Sequence, residues 1–437
     1  MGVSIESRQP DVGSLPDGWR PRPLKELSAF ITKGSTPTTY GFKWEESGIL
    51  FLRSECVSEH GLDLTQSMHI SDAAHSMLRR SEVFDGDILV TITGNVGRAV
   101  MLSGVGRGNI NQHIARVRIT SPDAVPGYVF HALSRPSSRR HFAAITTGQA
   151  YPQISLQQVR EAEVALPPTR AEQEAIAEAL SDADALIESL EQVLIKKRQI
   201  KQGAMQELLT GEQRLPGFGN HGGFRRCELG SIPNDWDCIQ LRSLAARSLG
   251  SIKIGPFGSA LKKQFLTKEG FKVYGQENVY ARDMDKGDRF INSEHFRNLR
   301  SCEILAGDFL VSMMGTVGKC MIVPSGIKAG IMDSHLLRVR LDPEKLSSAF
   351  LSQLFETRIV FDQVKQLSVG GIMEGLSSRI VKSLNLPVPS IEEQMAIAGS
   401  LSDMDSEVGN LEARLSKARA LKHGMMQELL SGRIRLV

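Results

Sequence analysis

The chain is written twice. The run Leu15–Trp19 (LPDGW) is answered 217 positions later by Ile232–Trp236 (IPNDW). Phe84–Arg98 (FDGDILVTITGNVGR) returns 221 positions on as Leu305–Lys319 (LAGDFLVSMMGTVGK), and His113–Arg118 (HIARVR) returns at 222 as His335–Arg340 (HLLRVR). From Glu172 to Gly211 and from Glu393 to Gly432 the offset stays at 221 without a gap. A constant offset fixes helical register, and a drifting one marks loops of different length. Each half is therefore a module of variable loop length followed by a module of fixed length. The halves divide as residues 1–165 and 213–388 for the variable modules, with 166–212 and 389–437 for the fixed ones.

Both fixed modules open on a helix-start signal. Pro167-Pro168 precedes Thr169–Glu172, and Pro389 precedes Ser390–Glu393. Each predicts a capping box, in which the hydroxyl accepts from the backbone N–H three residues on and the glutamate reaches back. Apolar residues then recur at spacings of four and three: Ile176, Leu180, Ala183, Ile187, Leu190 and Leu194. The second copy reads Ile397, Leu401, Met404, Val408, Leu411 and Leu415. This pattern predicts a two-stranded coiled-coil seam. A helix from Thr169 to Leu209 would run roughly 60 Å, longer than a domain face, so packing on its own module alone would leave much of the seam bare. Pairing with the other copy, antiparallel, would set the two variable modules at opposite ends about a pseudo-two-fold axis. A further stripe, Ile200, Ala204, Met205 and Leu208 with Leu421, Met425, Met426 and Leu429, is available either for core packing or for a partner docked once per half.

The variable modules predict mixed α and β structure with many glycine and proline turns. Ala115–Ile119 and Leu337–Leu341 alternate strictly, so Arg116 and Arg118, like Arg338 and Arg340, share one strand face. Such a pair suits phosphate contact, or else a solvated face with carboxylate partners. Polar loops carry the residue types that read base edges: Lys33, Ser35, Thr36, Tyr40, Thr93, Asn95, Arg98, Gln149 and Tyr151 in the first half. The second half offers Lys253, Ser259, Lys262, Lys263, Gln276, Asn278, Thr316 and Lys319. The halves diverge most in these loops.

Composition narrows the classes. A net charge of +3 over 437 residues permits a nucleic-acid partner without demanding one. No apolar run is long enough to cross a bilayer and Met1–Ser14 lacks a signal-peptide core, which predicts a cytoplasmic chain. Five cysteines without a CxxC pair argue against structural zinc. Catalysis is disfavoured by motif. A base-flipping adenine methyltransferase needs an Asn/Asp-Pro-Pro-aromatic loop, whereas here Pro167-Pro168 lies between Leu166 and Thr169. A phosphate-binding GxxxxGK[ST] is also missing, since Gly318-Lys319 is followed by Cys320.

Taken together, the doubled LPxGW-like opening, the GDILV…TGNVGR strand-turn, the PPxxAEQ helix start and the KQGxMQELLTG helix end resemble the specificity subunits of Type I restriction-modification enzymes. The resemblance spans nearly the whole chain. Gly34–Pro37 looks like that family's early recognition loop, from which the second half departs as Gly255–Gly258. The resemblance implies an α+β chain with two target recognition domains separated by two long helices forming an antiparallel coiled coil. It implies double-stranded DNA as ligand, read as an asymmetric bipartite sequence, and two methyltransferase subunits docked on the helices. Restriction-translocase subunits would join through these, and S-adenosylmethionine, ATP and magnesium would belong to the partners, so no cofactor or metal is expected on this chain. A related methylation-based defence system, or a coiled-coil scaffold that reads no DNA, are the alternatives.

Overall fold

The computed structural model describes residues 15–436 except 60, 149–150, 220–221, 315–317 and 369–375, and the side chain of Ser259 is likewise not described. The chain forms two compact units, Met1–Gln192 with Ala413–Val437, and Val193–Glu412.

In the first unit, one four-stranded sheet orders Ile31–Lys33, Ile114–Val117, Ile88–Thr91 and Ala99–Met101, antiparallel throughout. A second orders Met68–Ile70, Ile49–Leu52, Gly108–Ile110 and Glu82–Val83, with a parallel pair at its centre. Arg20–Pro23 pairs with Glu163–Leu166, the strand that leads into the first long helix. The second unit repeats the plan. Ile252–Ile254, Leu336–Val339, Phe309–Ser312 and Cys320–Ile322 form one sheet, and Leu266–Thr267, Phe290–Ile291, Phe271–Tyr274 and Gly330–Met332 the other. Asp237–Gln240 pairs with Asn385–Val388, which leads into the second long helix. The architecture is α+β and internally duplicated, as the repeat predicts.

The long helices are Arg170–Thr210 and Ile391–Leu429. Within the first unit Asp184 meets Lys422, and Glu191 meets Arg419 at 2.5 Å. Within the second, Lys197 meets Glu407 at 2.6 Å and Lys201 meets Asp405 at 2.5 Å. In each unit the number on one helix falls as the other rises, so the two segments run antiparallel. These pairs are largely exposed and contribute little stability each, but their signs select register. Seam residues Ile176, Leu180, Leu190, Leu194, Ile397, Leu401 and Leu415 are buried. Packing on the module and packing on the other helix coexist. Ile176 and Leu180 enter the first unit's core, as Ile397 and Leu401 enter the second's.

Only half of each predicted capping box forms. Thr169 and Ser390 accept from the N–H of Glu172 and Glu393 at 3.2 and 3.3 Å. The glutamates turn instead to arginines: Glu172 accepts from Arg435, and Glu393 from Arg214 and from the Trp236 indole N–H at 3.2 Å. Both carboxylates are buried, and a guanidinium compensates a buried charge where one backbone N–H would not.

The helix ends explain two more repeated motifs at once. Gly211 and Gly432 adopt φ of +74° and +70°, the left-handed stop that favours glycine. A Cβ on Gly211 would lie 2.4 Å from Pro233 and 3.2 Å from Trp236. One on Gly432 would lie 2.4 Å from Pro16 and 3.1 Å from Trp19. Each proline-tryptophan opening is thus the seat for a helix terminus in its own unit.

That packing revises the stripe read from sequence. Leu208, Met426 and Leu429 are buried in the cores, and Ala204, Met205 and Met425 lie half-buried against them. Ile200 and Leu421 remain exposed, at 48% and 61%.

Candidate nucleic-acid interface

The arginine strands prove to be scaffold. Arg116 is 5% exposed and donates to the Glu82 carbonyl; Arg338, at 2%, donates to the Glu303 carbonyl and to that of Gly250 at 2.7 Å. Burial pushes both guanidinium groups below the usual arginine range. Arg118 holds Asp87 in a bidentate pair at 2.6 and 2.7 Å. Arg340 holds Asp308 at 2.9 and 3.3 Å. Each aspartate also accepts from the start of its own turn, Phe84 N–H at 2.9 Å or Leu305 N–H at 2.8 Å. For buried Arg116 and Arg338 the expectation of phosphate contact gives way to a structural role, whereas Arg118 and Arg340, at 37% and 30% side-chain exposure, form the carboxylate-paired alternative. Alternation showed that the pair shares a face but not what that face packs against.

The predicted loops, in contrast, converge. In the first unit Lys33 pairs with Ala115 and Thr91 with Ile114. The loops after Lys33 and after Thr91, and the turn before Ile114, therefore emerge side by side at one end of the sheet. Main-chain bonds tie them: Gly34 N–H to Asn111 O at 3.0 Å, Ile92 N–H to His113 O at 2.9 Å, and Gly94 N–H to Pro152 O at 2.9 Å. Thr93 forms a bridge with Gln153. The Thr36 hydroxyl donates to Gln112 Oε1 at 2.5 Å, and Gln112 lies 3.0 Å from His113 Nε2. Lys33, Tyr40, Asn95 and Tyr151 are exposed here, with Ser35, Thr36, Thr93, Gln112 and His113 half-buried. Arg98 is partly engaged, since it and Arg139 reach Glu59 at 3.4 and 2.9 Å. Arg139 first and then Arg98 hold the Glu59 carboxyl below its ordinary range. Gln149 lies outside the described residues.

The second unit builds the same end with other side chains. Gly255 N–H donates to Leu336 O at 3.1 Å, and Met313 N–H to His335 O at 2.9 Å. A Cβ on Gly34 would stand 1.6 Å from Ile110 O, and one on Gly255 1.9 Å from Asp333 O. The glycine common to both recognition loops is thus required by close backbone approach. The next three residues, Ser35-Thr36-Pro37 or Pro256-Phe257-Gly258, are free to differ. Phe257 is 64% exposed, Lys262 and Lys263 are exposed, and Lys253 donates to Ser301 Oγ at 2.6 Å. Lys319 lines an open cleft of ≈ 670 Å³ with Tyr280, Arg282 and Glu356. Arg282 itself sits at φ +51°, a left-handed helix end.

Two predicted contacts here are not at the surface. Asn278 is fully buried, accepting from Gly275 N–H at 2.9 Å and donating to Asp283 O and Lys286 O at 2.9 and 2.8 Å. Its place in a base-reading set is corrected to that of a loop staple. Gln276 is half-buried. Thr316 lies outside the described residues, as does the side chain of Ser259. Gln112, His113 and Phe257 join the candidate surface; the first two lay within a polar loop of the sequence, while exposed Phe257 carried no polar signal.

Comparison with known proteins decides the family. The model of the Type I restriction modification DNA specificity domain matches twice, over residues 16–198 and 250–418. The chain belongs to the Type I restriction-modification DNA specificity family. It is 23% identical to the putative type I restriction enzyme MjaX specificity subunit of Methanocaldococcus jannaschii, over 98% of this chain and 96% of that one. It is 22% identical to the EcoBI specificity subunit of Escherichia coli, over 96% and 86%. Among solved structures, the S subunit of a Type I restriction-modification system from M. genitalium superposes with a TM-score of 0.59 at 15% identity, over 94% of this chain and 96% of that. A chain from a study of complex assembly and conformational transition of the type I R-M system gives 0.52 at 15% identity, over 97% and 100%. In family terms, each matched segment holds one converged sheet end, so the DNA specificity domain occurs twice. Among the described residues no helix is long and apolar enough to cross a membrane.

Proposed function

We propose that this specificity subunit reads an asymmetric, bipartite double-stranded DNA target, one half with each converged sheet end, and performs no catalysis itself. The observation that carries this reading is the contrast between the two ends. At each end a glycine is pressed on a backbone carbonyl and one main-chain bond recurs, Ile92 to His113 and Met313 to His335, while the exposed side chains differ: Lys33, Tyr40, Asn95 and Tyr151 against Phe257, Lys262, Lys263 and Lys319. A shared frame with different base-facing chemistry is what two readers of unlike half-sites require.

The paired helices serve as the ruler between half-sites. Ile200 and Leu421, exposed and 221 positions apart, mark equivalent faces on which two methyltransferase subunits dock, with restriction-translocase subunits joining through them. S-adenosylmethionine, ATP and magnesium are carried by those partners, and the complex works in the cytoplasm. The test is selection from a random duplex library, by the chain with and without its candidate methyltransferase. Enrichment of one split motif supports the reading. Methyl transfer by the isolated chain, or no sequence preference in the complex, overturns it.

A further inference from the structure

The β-hairpin at the start of the second reader has no counterpart among the described residues of the first. Phe224–Cys227 pairs with Gly230–Pro233, so Cys227 stands opposite Gly230 and Glu228 sits in the two-residue turn between them. Asp237–Gln240 comes directly after and carries Cys238. The Sγ atoms of Cys227 and Cys238 and a carboxylate oxygen of Glu228 all lie within 4.8 Å of one another. The matching strand of the first half, 217 positions earlier, has Pro21 where Cys238 stands. The cluster therefore belongs to one reader alone and is not part of the repeated scaffold.

We propose that Cys227, Glu228 and Cys238 form a binding site for a thiophilic divalent cation of the zinc class, which clamps the hairpin to the strand behind it. The donor set suits zinc, which takes thiolate sulfur at about 2.3 Å and carboxylate oxygen at about 2.0–2.2 Å. Tetrahedral geometry at those lengths sets sulfurs roughly 3.8 Å apart, within reach of the observed spacing by small side-chain rotations. A calcium or magnesium ion would want more oxygen donors than the one carboxylate offers. An independent feature favours a thiolate at the first position: the Leu229 amide N–H donates to Cys227 Sγ at 3.4 Å. The thiols are half-buried and Glu228 is exposed, so an ion can enter without unfolding and keep one coordination position toward solvent.

The consequence is mechanical. The hairpin is held to the strand by Arg225, whose guanidinium donates to Trp236 O at 2.6 Å and lies 3.5 Å from Asp237, and by the Cys238 thiol, which donates to Glu228 at 3.5 Å and would give up that proton to a metal. A metal at Cys227 and Cys238 adds a cross-link at the other end of the hairpin. It would also brace Asp237–Gln240, the partner of the strand that enters the second long helix.

The test uses the reduced, full-length chain stripped with chelator and titrated with cobalt(II), whose thiolate complexes absorb in the near ultraviolet by charge transfer. One cobalt per chain is expected, displaced by zinc, with a rise in melting temperature on zinc addition. The Cys227→Ser/Cys238→Ser double variant should lose both the band and the melting shift. A triple Cys56→Ser/Cys302→Ser/Cys320→Ser variant should keep the band, and Glu228→Gln should weaken binding roughly tenfold or more. Circular dichroism and melting of the metal-free double variant, matched to the metal-free parent, show that the lost band is not lost folding. The proposal falls if cobalt gives no charge-transfer band, or if the band survives the double variant. It falls equally if the pair closes to a disulfide in air while the reduced protein takes no metal.

Discussion

Asp87 and Asp308 show why repeated residues need not be contact residues. Each closes its own turn and holds an arginine from the neighbouring strand, with almost no exposure. Asp87→Ala leaves buried Arg116 and half-buried Arg118 short of their counter-charge, which costs about 2 kcal/mol once solvent screening of Arg118 is allowed for. Denaturant melts should record that loss, and the base preference of the folded fraction should be unchanged. Asn95→Ala and Tyr151→Ala are the converse. Both side chains are exposed at the sheet end, so stability should stay within about 0.5 kcal/mol while DNA affinity falls by about 1–3 kcal/mol. Gel shifts against the selected target separate the two classes.

A different residue prediction concerns pH. His131 is buried, its Nε2 lies 3.1 Å from Ser181 Oγ, and burial lowers it to about 4 against opposing Asp184. Unfolded, the ring takes a proton near its ordinary value; folded, it resists. The stability it supports is therefore full above about pH 6.5 and is lost as pH falls toward 4, by on the order of 3 kcal/mol. His131→Phe should flatten that limb of the urea midpoint against pH, and an unchanged slope would refute the assignment. Little of this was legible in the sequence. Strict alternation put Arg116 and Arg118 on one face, yet exposure depends on the second sheet, which no local pattern reveals. Cys227 and Cys238 hid for the same reason. Their spacing is set by a hairpin and a strand entry, and not by the short CxxC loop that spacing rules seek.

Elements were far more legible than contacts. The helices Arg170–Thr210 and Ile391–Leu429 arise from heptad spacing and a hydroxyl cap, both local signals. The glutamate of each cap was misread because its arginine, Arg435 or Arg214, comes from a distant segment. The antiparallel pairing also constrains any test of the ruler. Extra residues in one helix alone would set Asp184–Lys422 out of step with Glu191–Arg419. A heptad added to both helices, between Glu191 and Lys197 on one and between Glu412 and Arg419 on the other, keeps these ion pairs matched. It lengthens each helix by about 10.5 Å, close to three base-pair steps of about 3.4 Å. The selected target should keep both half-sites and widen its gap by about three base pairs. An unchanged gap would remove the ruler from the proposal.

At the scale of the molecule, duplication divides labour between what is copied and what is free. The copied parts are those whose partners lie inside a unit: the RxR–Asp pair, the Trp–Gly helix seat, and the glycine pressed on a backbone carbonyl. Every one would be broken by drift, at a cost of about 1–5 kcal/mol. The loops at the sheet ends bear no such constraint, which is why they diverge most between the halves. The first reader takes its inner bonds from residues 15–165 together with Arg435 and the Gly432 terminus. A swap of residues 15–165 for the equivalent stretch of another family member must therefore leave Glu172 and Gly432 seated against their new neighbours. With the proline-tryptophan opening retained in the donor, the chimera should fold with the parent's melting temperature. Target selection should then return one altered half-site beside one unchanged half-site at the same gap. Alteration of both halves would mean that the readers do not act independently, and the two-reader proposal would fail.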